Sequence, residues 1–318
     1  MSDFGLHLTD FQSSAFAGDR LLAGVSEVAR AMEESGGFSS LWLTDHVEYL
    51  GPGGPTAPMP EAYMLLGALA TRTCSLELGV LATSVLYRNP ALLAKMVTTL
   101  DVLSGGRAVL GVGAAHPRTE GEHRTYGYEF PPIAERMGRL EVALDVISTM
   151  IGQGDGGGSP PNWPRPLRAG GIPVLVAGSG EQRLLRIAAR YADLVNLSFP
   201  SGDTLDRIPH KLDVLARHCH TIGRDPTSIT VTYKALVAVA PSASEAQAKW
   251  DSWRRARQLP ELDHRHGVFV GEPSAVVKQL RSFLDSGVDT MIVELPDGHD
   301  PKTVALAGEA FASVRQQH

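Results

Sequence analysis

Cysteine is nearly absent. Cys74 and Cys219 are the two in 318 residues, so no disulfide framework is available, and neither lies in a metal-ligand spacing. Cys74 borders an apolar strand pattern and reads as core. Long apolar runs are missing too: none reaches the roughly 18 residues that span a bilayer. The opening Met1-Ser2-Asp3-Phe4-Gly5 lacks the charged and apolar regions of a signal peptide. Basic blocks are also lacking, because the net charge of −6 comes from interspersed charges, which argues against a nucleic-acid partner. These absences lead to the expectation of a soluble cytoplasmic protein, with neither nucleic acid nor membrane as partner.

What is present is a regular alternation. With 43% hydrophobic residues, the chain can bury a large core as one big domain or as two modest ones; a barrel takes 1–318 as a single domain. Short apolar runs that suit strands lie at 4–8, 40–44, 76–83, 108–112, 173–177, 194–198, 229–240 and 290–295. Helical periodicity fills the gaps, at 19–35, 61–73, 90–103, 133–151, 180–191, 204–222, 244–258, 274–286 and 301–315. Pro90 and Pro301 suit first-turn positions, and Gly223 and Gly287 suit stops. The strands are apolar on both faces, as parallel strands covered by helices must be. Eight such units fit an α/β fold of the (β/α)8 TIM-barrel type, with an open doubly wound sheet as the alternative. Two Gly/Pro-rich stretches interrupt the rhythm, 51–60 after the second strand and 152–171 after the fourth βα unit. Both are expected over the C-terminal mouth of the barrel.

The stretch 174–193 carries the most chemistry. An apolar run ends in Ala177-Gly178-Ser179-Gly180, and an Arg-rich helical pattern follows at once. Helix N-terminal amides beside glycines cradle an anion, to which Ser179 adds a hydroxyl and Arg183 or Arg186 a charge. A plain strand-to-helix turn has the same composition, so both readings stand at this point. The ends of three strands carry His7, His46 and His116. That face builds the site in a barrel, and an imidazole there can move a proton near neutral pH. A metal is not expected, because no helical His pair or carboxylate pattern accompanies them. Trp42 reads as core. Glu122 and Arg124 read as loop-fixing residues. Trp250 and Trp253, three apart beside Arg254, Arg255 and Arg257, read as a face packed on the barrel or, secondarily, as a dimer contact.

Several of these segments resemble a known family. Leu41-Trp42-Leu43-Thr44-Asp45-His46, Tyr87-Arg88-Asn89-Pro90, the run from Thr99 to Arg107, Gly111-Val112-Gly113 and Glu122-His123-Arg124-Thr125-Tyr126-Gly127 occur in order. With Gly178-Ser179-Gly180-Glu181, Ala188-Ala189-Arg190-Tyr191-Ala192-Asp193 and Gly271-Glu272-Pro273, they are similar to motifs of the bacterial luciferase-like superfamily. The resemblance implies a TIM barrel with a flavin-type cofactor at its C-terminal mouth. The glycine turn with its arginines looks most like the branch that uses the deazaflavin coenzyme F420; FMN is the alternative cofactor.

The implied activity is hydride transfer between coenzyme F420 and a small organic substrate. The alternatives are an FMN-dependent monooxygenase and a flavin-binding barrel without catalysis. By the same resemblance His46 and His116 are expected as catalytic, although related proteins carry Trp or Glu where His116 stands. His7, Asp45, Ser84, Val85, Gly113, Ala177, Gly178, Ser179, Gly180 and Arg183 are expected to hold the cofactor. Ser84–Val85 is the bond matching the family's non-proline cis peptide. Arg165 and Arg168 are offered for the cofactor's acidic tail, and family habit implies a homodimer.

Overall fold

The computed structural model describes residues 3–152, 161–198 and 203–315. Its strands are β1 (Asp3–Leu8), β2 (Ser40–Leu43), β3 (Glu77–Val80), β4 (Thr83–Ser84), β5 (Ala108–Gly113), β6 (Val174–Ala177), β7 (Leu194–Ser198), β8 (Thr230–Val239), β9 (Val268–Gly271) and β10 (Thr290–Glu294). The helices are α1 (Leu21–Ser35), α2 (Ala62–Ala70), α3 (Pro90–Ser104), α4 (Glu120–Thr125) and α5 (Ile133–Ile151). They continue as α6 (Leu184–Tyr191), α7 (Ile208–Thr221), α8 (Ala243–Ala256), α9 (Pro273–Leu284) and α10 (Pro301–Arg315).

Every pairing is parallel, and the path β1-β2-β3-β5-β6-β7-β8-β10 closes when β10 pairs with β1. This is the expected TIM barrel, and closure removes the open-sheet alternative. The ten-residue β8 outruns its partners: its far half, Leu236–Val239, pairs with β9. Between β3 and β4 the chain leaves the sheet at Leu81 and Ala82, then rejoins it where Thr83 pairs with Val112.

Local sequence explains the boundaries. Asn89 caps α3 by accepting the Ala91 amide at 2.9 Å, Pro90 opens the helix, and Gly105 closes it at φ +70°. The barrel interior holds Trp42, Leu81, Val109, Leu175 and Ile292, while Phe4, Leu6, Leu41 and Leu43 face the helices. Trp42 fits because its neighbours are glycine: a Cβ on Gly79 would lie 2.5 Å from its ring, and Gly79 stands directly beside it in β3. Trp42 is thus core, as expected.

Three expectations need correction. Cys74 is exposed, and it is Cys219 that is buried. The described part of the long loop does not cover the mouth. It binds the opposite end, where the Leu167 amide donates to Asp101 at 2.7 Å and Arg168 meets Glu77, the first residue of β3, at 2.5 Å. The topology requires this, since the loop follows a helix and must return to the start of β6. Arg168 is therefore an anchor at the far end, and Arg165 lies over the Trp163 ring, 5.1 Å from its centroid. Residues 153–160 of that loop lie outside the described set. Finally, the non-proline cis bond among the described residues is Leu81–Ala82 and not Ser84–Val85.

Candidate active site

The C-terminal ends of the strands enclose two adjoining cavities, of about 830 Å³ and about 390 Å³. His46, just past β2, lines both. Its Nδ1 lies 2.9 Å from Glu122 Oε2, and the imidazole is 28% exposed while the carboxylate is wholly buried. Glu122 also accepts the amides of Val47 and Glu48 and the Tyr87 hydroxyl. Burial pushes the Glu122 carboxyl up, but the hydrogen bond and charge of His46, with the Val47 amide, hold it below its ordinary value. An ionised carboxylate only accepts, so Nδ1 of His46 carries the proton it donates and Nε2 is left for other chemistry. Glu122 is more than a loop-fixing residue. The short helix α4 carries it under His46.

The smaller cavity gathers Asp45, Ser84, Gly113, Ala177, Gly178, Ser179 and Gly180, most of the residues expected around the cofactor, together with His116, expected as catalytic. Asp45 is committed to Arg88 through two bonds of 2.6 and 2.9 Å, so it shapes the wall and holds the Tyr87-Arg88-Asn89-Pro90 segment. Ser84 Oγ accepts the Leu86 amide and lies 3.3 Å from His123 Nε2. Val85 is buried and stands behind the wall, its amide donating to Gly113 at 3.1 Å. His116 sits exposed at the rim, where Nδ1 accepts the Arg118 amide at 3.2 Å. Burial, then Arg118 and Arg136, lower its pKa.

The glycine turn differs from expectation in detail. α6 begins at Leu184, so a turn at 181–183 separates Gly180 from the helix. Gly178 has φ +118° and a Cβ there would meet Leu184 at 3.1 Å, which explains glycine at this position. Lys211 pins the turn from behind, donating to the Ser179 carbonyl at 3.0 Å and to Glu181 at 2.8 Å. Ser179 is buried and its hydroxyl bonds Asp203. Arg183 and Arg186 face α5, not the cavity. Arg183 donates to Ala134 O at 2.6 Å and to Glu141 at 2.8 Å, and Arg186 meets Glu141 at 3.1 Å. Glu141 draws both guanidinium groups to the helix layer, so the charge expected from them at the turn is spent elsewhere.

His7 lines the larger cavity rather than the smaller one. It is 4% exposed, and neither ring nitrogen has a partner among the described residues. Burial foremost, then Lys234 and His46, push its pKa well down, so the ring is neutral. Beside it Lys234 of β8 pairs with Glu294 of β10 at 2.9 Å, and Thr9 donates to the same carboxylate at 2.8 Å. The Gly/Pro-rich excursion after β2 contributes Gly51, Pro52 and Met59 to the wall, as its position predicts. Sequence reasoning missed Lys234, Glu294, His123 and the cavity-lining Trp253. The signal for the first two is plain: a charged side chain inside an apolar parallel strand must face a polar interior.

The profile of the luciferase-like monooxygenase family matches residues 3–290. The chain belongs to that family. Among similar members, it is 35% identical to the F420-dependent glucose-6-phosphate dehydrogenase of Microbacterium testaceum over 301 residues, covering 85% of this chain and 86% of that one. It is 26% identical to the 4-hydroxyprotoasukamycin monooxygenase of Streptomyces nodosus, over 87% of this chain and 81% of that one. A solved F420-dependent secondary alcohol dehydrogenase in complex with an F420-acetone adduct shares the fold, with a TM-score of 0.76, 17% identity and 98% coverage of both chains. The luciferase-like family therefore accounts for the barrel and for the order of motifs around its mouth.

Proposed function

We propose that this protein transfers a hydride between coenzyme F420 and a small organic substrate. The observation that carries the reading is the His46–Glu122 pair, set where the two cavities meet, in a chain whose relatives include a named F420-dependent dehydrogenase. The residues present fit such a cofactor. Gly113, Ala114, Ala177, Gly178 and Gly180 give the smaller cavity walls without bulk, and a Cβ at Gly178 would meet Leu184 there. The Gly178–Gly180 turn, Ser84, Gly113 and Ala177 would hold the cofactor. When bound, the deazaflavin supplies the carbon centre that accepts or donates the hydride.

The protein's own part is proton management and orientation. Nε2 of His46 takes the proton from a substrate hydroxyl, or returns it to a carbonyl oxygen in the opposite direction. Glu122 fixes the ring through Nδ1 and offsets the positive charge that forms when Nε2 is protonated. Leu81 and Ala82 form the wall where the strand leaves the sheet, Leu81 on the larger cavity and Ala82 on the smaller. His116 lies at the rim of the smaller cavity and is placed to contact a ligand entering there.

The test is His46→Ala, assayed with F420 and a panel of secondary alcohols and ketones. Loss of general acid–base help lowers turnover by at least ~100-fold, while the F420 dissociation constant stays within about threefold. Unchanged turnover removes His46 from the mechanism. FMN-dependent oxygen chemistry is the second reading, because a relative carries a monooxygenase name; preference for FMN over F420 would favour it.

A further inference from the structure

The larger cavity has a charge balance that narrows the substrate. At about 830 Å³ it lies in the range that encloses a drug-sized ligand. Its walls are largely apolar, with Leu50 and Met59 on one side and Trp253, Leu259 and Leu262 on the other. Its floor is polar, made by His7, Lys234 and Glu294. Of the cations around it, Lys234, Arg257 and His266 are already paired. Lys234 is held by Glu294 at 2.9 Å. Arg257 is held by Asp10 and the Tyr49 hydroxyl, both at 2.9 Å, and lies over the Trp253 ring. His266 is held by Asp263 at 2.7 Å. Arg118 stands exposed at the rim.

A phosphate monoester brings roughly two negative charges and demands cations that are not already neutralised. Breaking the Lys234–Glu294 pair to serve it would leave Glu294 buried and unpaired, which costs more than the new contact returns. His7 poses the opposite demand. Its buried imidazole has one donor and one acceptor, and neither is used among the described residues. A buried polar group without a partner is costly, and a ligand oxygen reaching the floor relieves it.

We propose that the larger cavity binds an uncharged ketone or secondary alcohol with a bulky apolar body, its oxygen-bearing end hydrogen-bonded by His7, and that it discriminates against sugar phosphates. This rests on the redox reading above and names the substrate class of the same site. The apolar body lies between Trp253 and the Leu50–Met59 wall. Lys234 and Glu294 serve as a neutral pair that keeps the floor polar without adding charge.

The experiment is a calorimetric titration of the protein, with and without oxidised F420, using 2-acetylnaphthalene and glucose 6-phosphate as probes. Oxidised coenzyme has no hydride to give a ketone, so that titration reads binding alone. The ketone is expected to bind at least ~10-fold more tightly than the sugar phosphate. His7→Phe is expected to weaken the ketone by roughly three- to tenfold while F420 affinity stays within about twofold. His7→Gln, which keeps a donor and an acceptor, is expected to recover most of the loss. The proposal is overturned by absent ketone binding, by tighter binding of glucose 6-phosphate, or by its bleaching of the coenzyme's absorbance. It also falls if His7→Phe weakens F420 instead of the ketone. Failure of F420 itself to bind, with the ketone still bound through His7, refutes the hydride-transfer reading and leaves the substrate class standing.

Discussion

Glu122→Gln isolates what the buried carboxylate does for His46. The change is isosteric and removes one charge. Oε1 of Glu122 accepts the Val47 and Glu48 amides, while Oε2 faces His46 Nδ1 at 2.9 Å. In the amide, the remaining oxygen stays on the two backbone donors, because turning it away would set N–H against N–H. The new NH₂ group then faces Nδ1 and donates to it. That forces the imidazole proton onto Nε2, the atom the reaction needs as an acceptor. The lost attraction can be bounded by Coulomb's law. At 2.9 Å it amounts to about 1.4 kcal/mol in water and about 6 kcal/mol at an effective dielectric near 20. His46 is partly exposed, so a value near 2 kcal/mol is appropriate, or ~30-fold in kcat. The assay is steady-state F420 turnover beside a fluorescence titration of F420. The reasoning predicts a kcat loss of that order with F420 affinity unchanged. Undiminished kcat, or a parallel loss of cofactor binding, would refute it.

Other outcomes follow from the same geometry. Glu122 has a folded pKa below its ordinary 4.5, so the stability it contributes is complete above that value and is lost as pH falls through the folded pKa. Denaturant midpoints of Glu122→Gln should therefore fall less steeply across the acid limb than those of the parent. Gly178→Ala imposes a side chain at φ +118° and should cost ~1–2 kcal/mol by thermal unfolding, with several-fold weaker F420 binding. Arg183→Ala should leave F420 affinity unchanged in the same titration, since its guanidinium is held by Ala134 and Glu141. Gly79→Ala would push a methyl into the Trp42 ring and should lose ~1–3 kcal/mol. Adding Trp42→Phe should recover part of that loss in a double-mutant cycle.

Most of the barrel is legible in the sequence, because parallel strands buried on both faces leave apolar runs that helical periodicity separates. β9 is not, since residues 268–271 form a short run that looks like part of a loop until β8 is seen to outgrow its neighbours. The long loop at 152–171 shows the limit of composition. Glycine and proline mark it as irregular, but only topology says which end of the barrel it reaches. Around the site, His46, the glycine turn and the residues at the strand ends were readable from motif and position. The partnership of His46 with Glu122 was not, because the two lie 76 residues apart and only α4, passing beneath the mouth, brings them together. Arg183 illustrates the converse. A positive charge next to an anion-cradling turn is suggestive in one dimension, yet Glu141 on the neighbouring helix claims it.

The central claim is that the mouth of this barrel is built for a deazaflavin. A side-by-side equilibrium titration of the purified protein with coenzyme F420 and with FMN, followed by fluorescence, tests it most directly. The account predicts micromolar or tighter binding of F420, with FMN far weaker, and several-fold weaker F420 binding in Gly178→Ala. Tight FMN binding with weak or absent F420 binding would contradict it and turn attention to oxygen consumption.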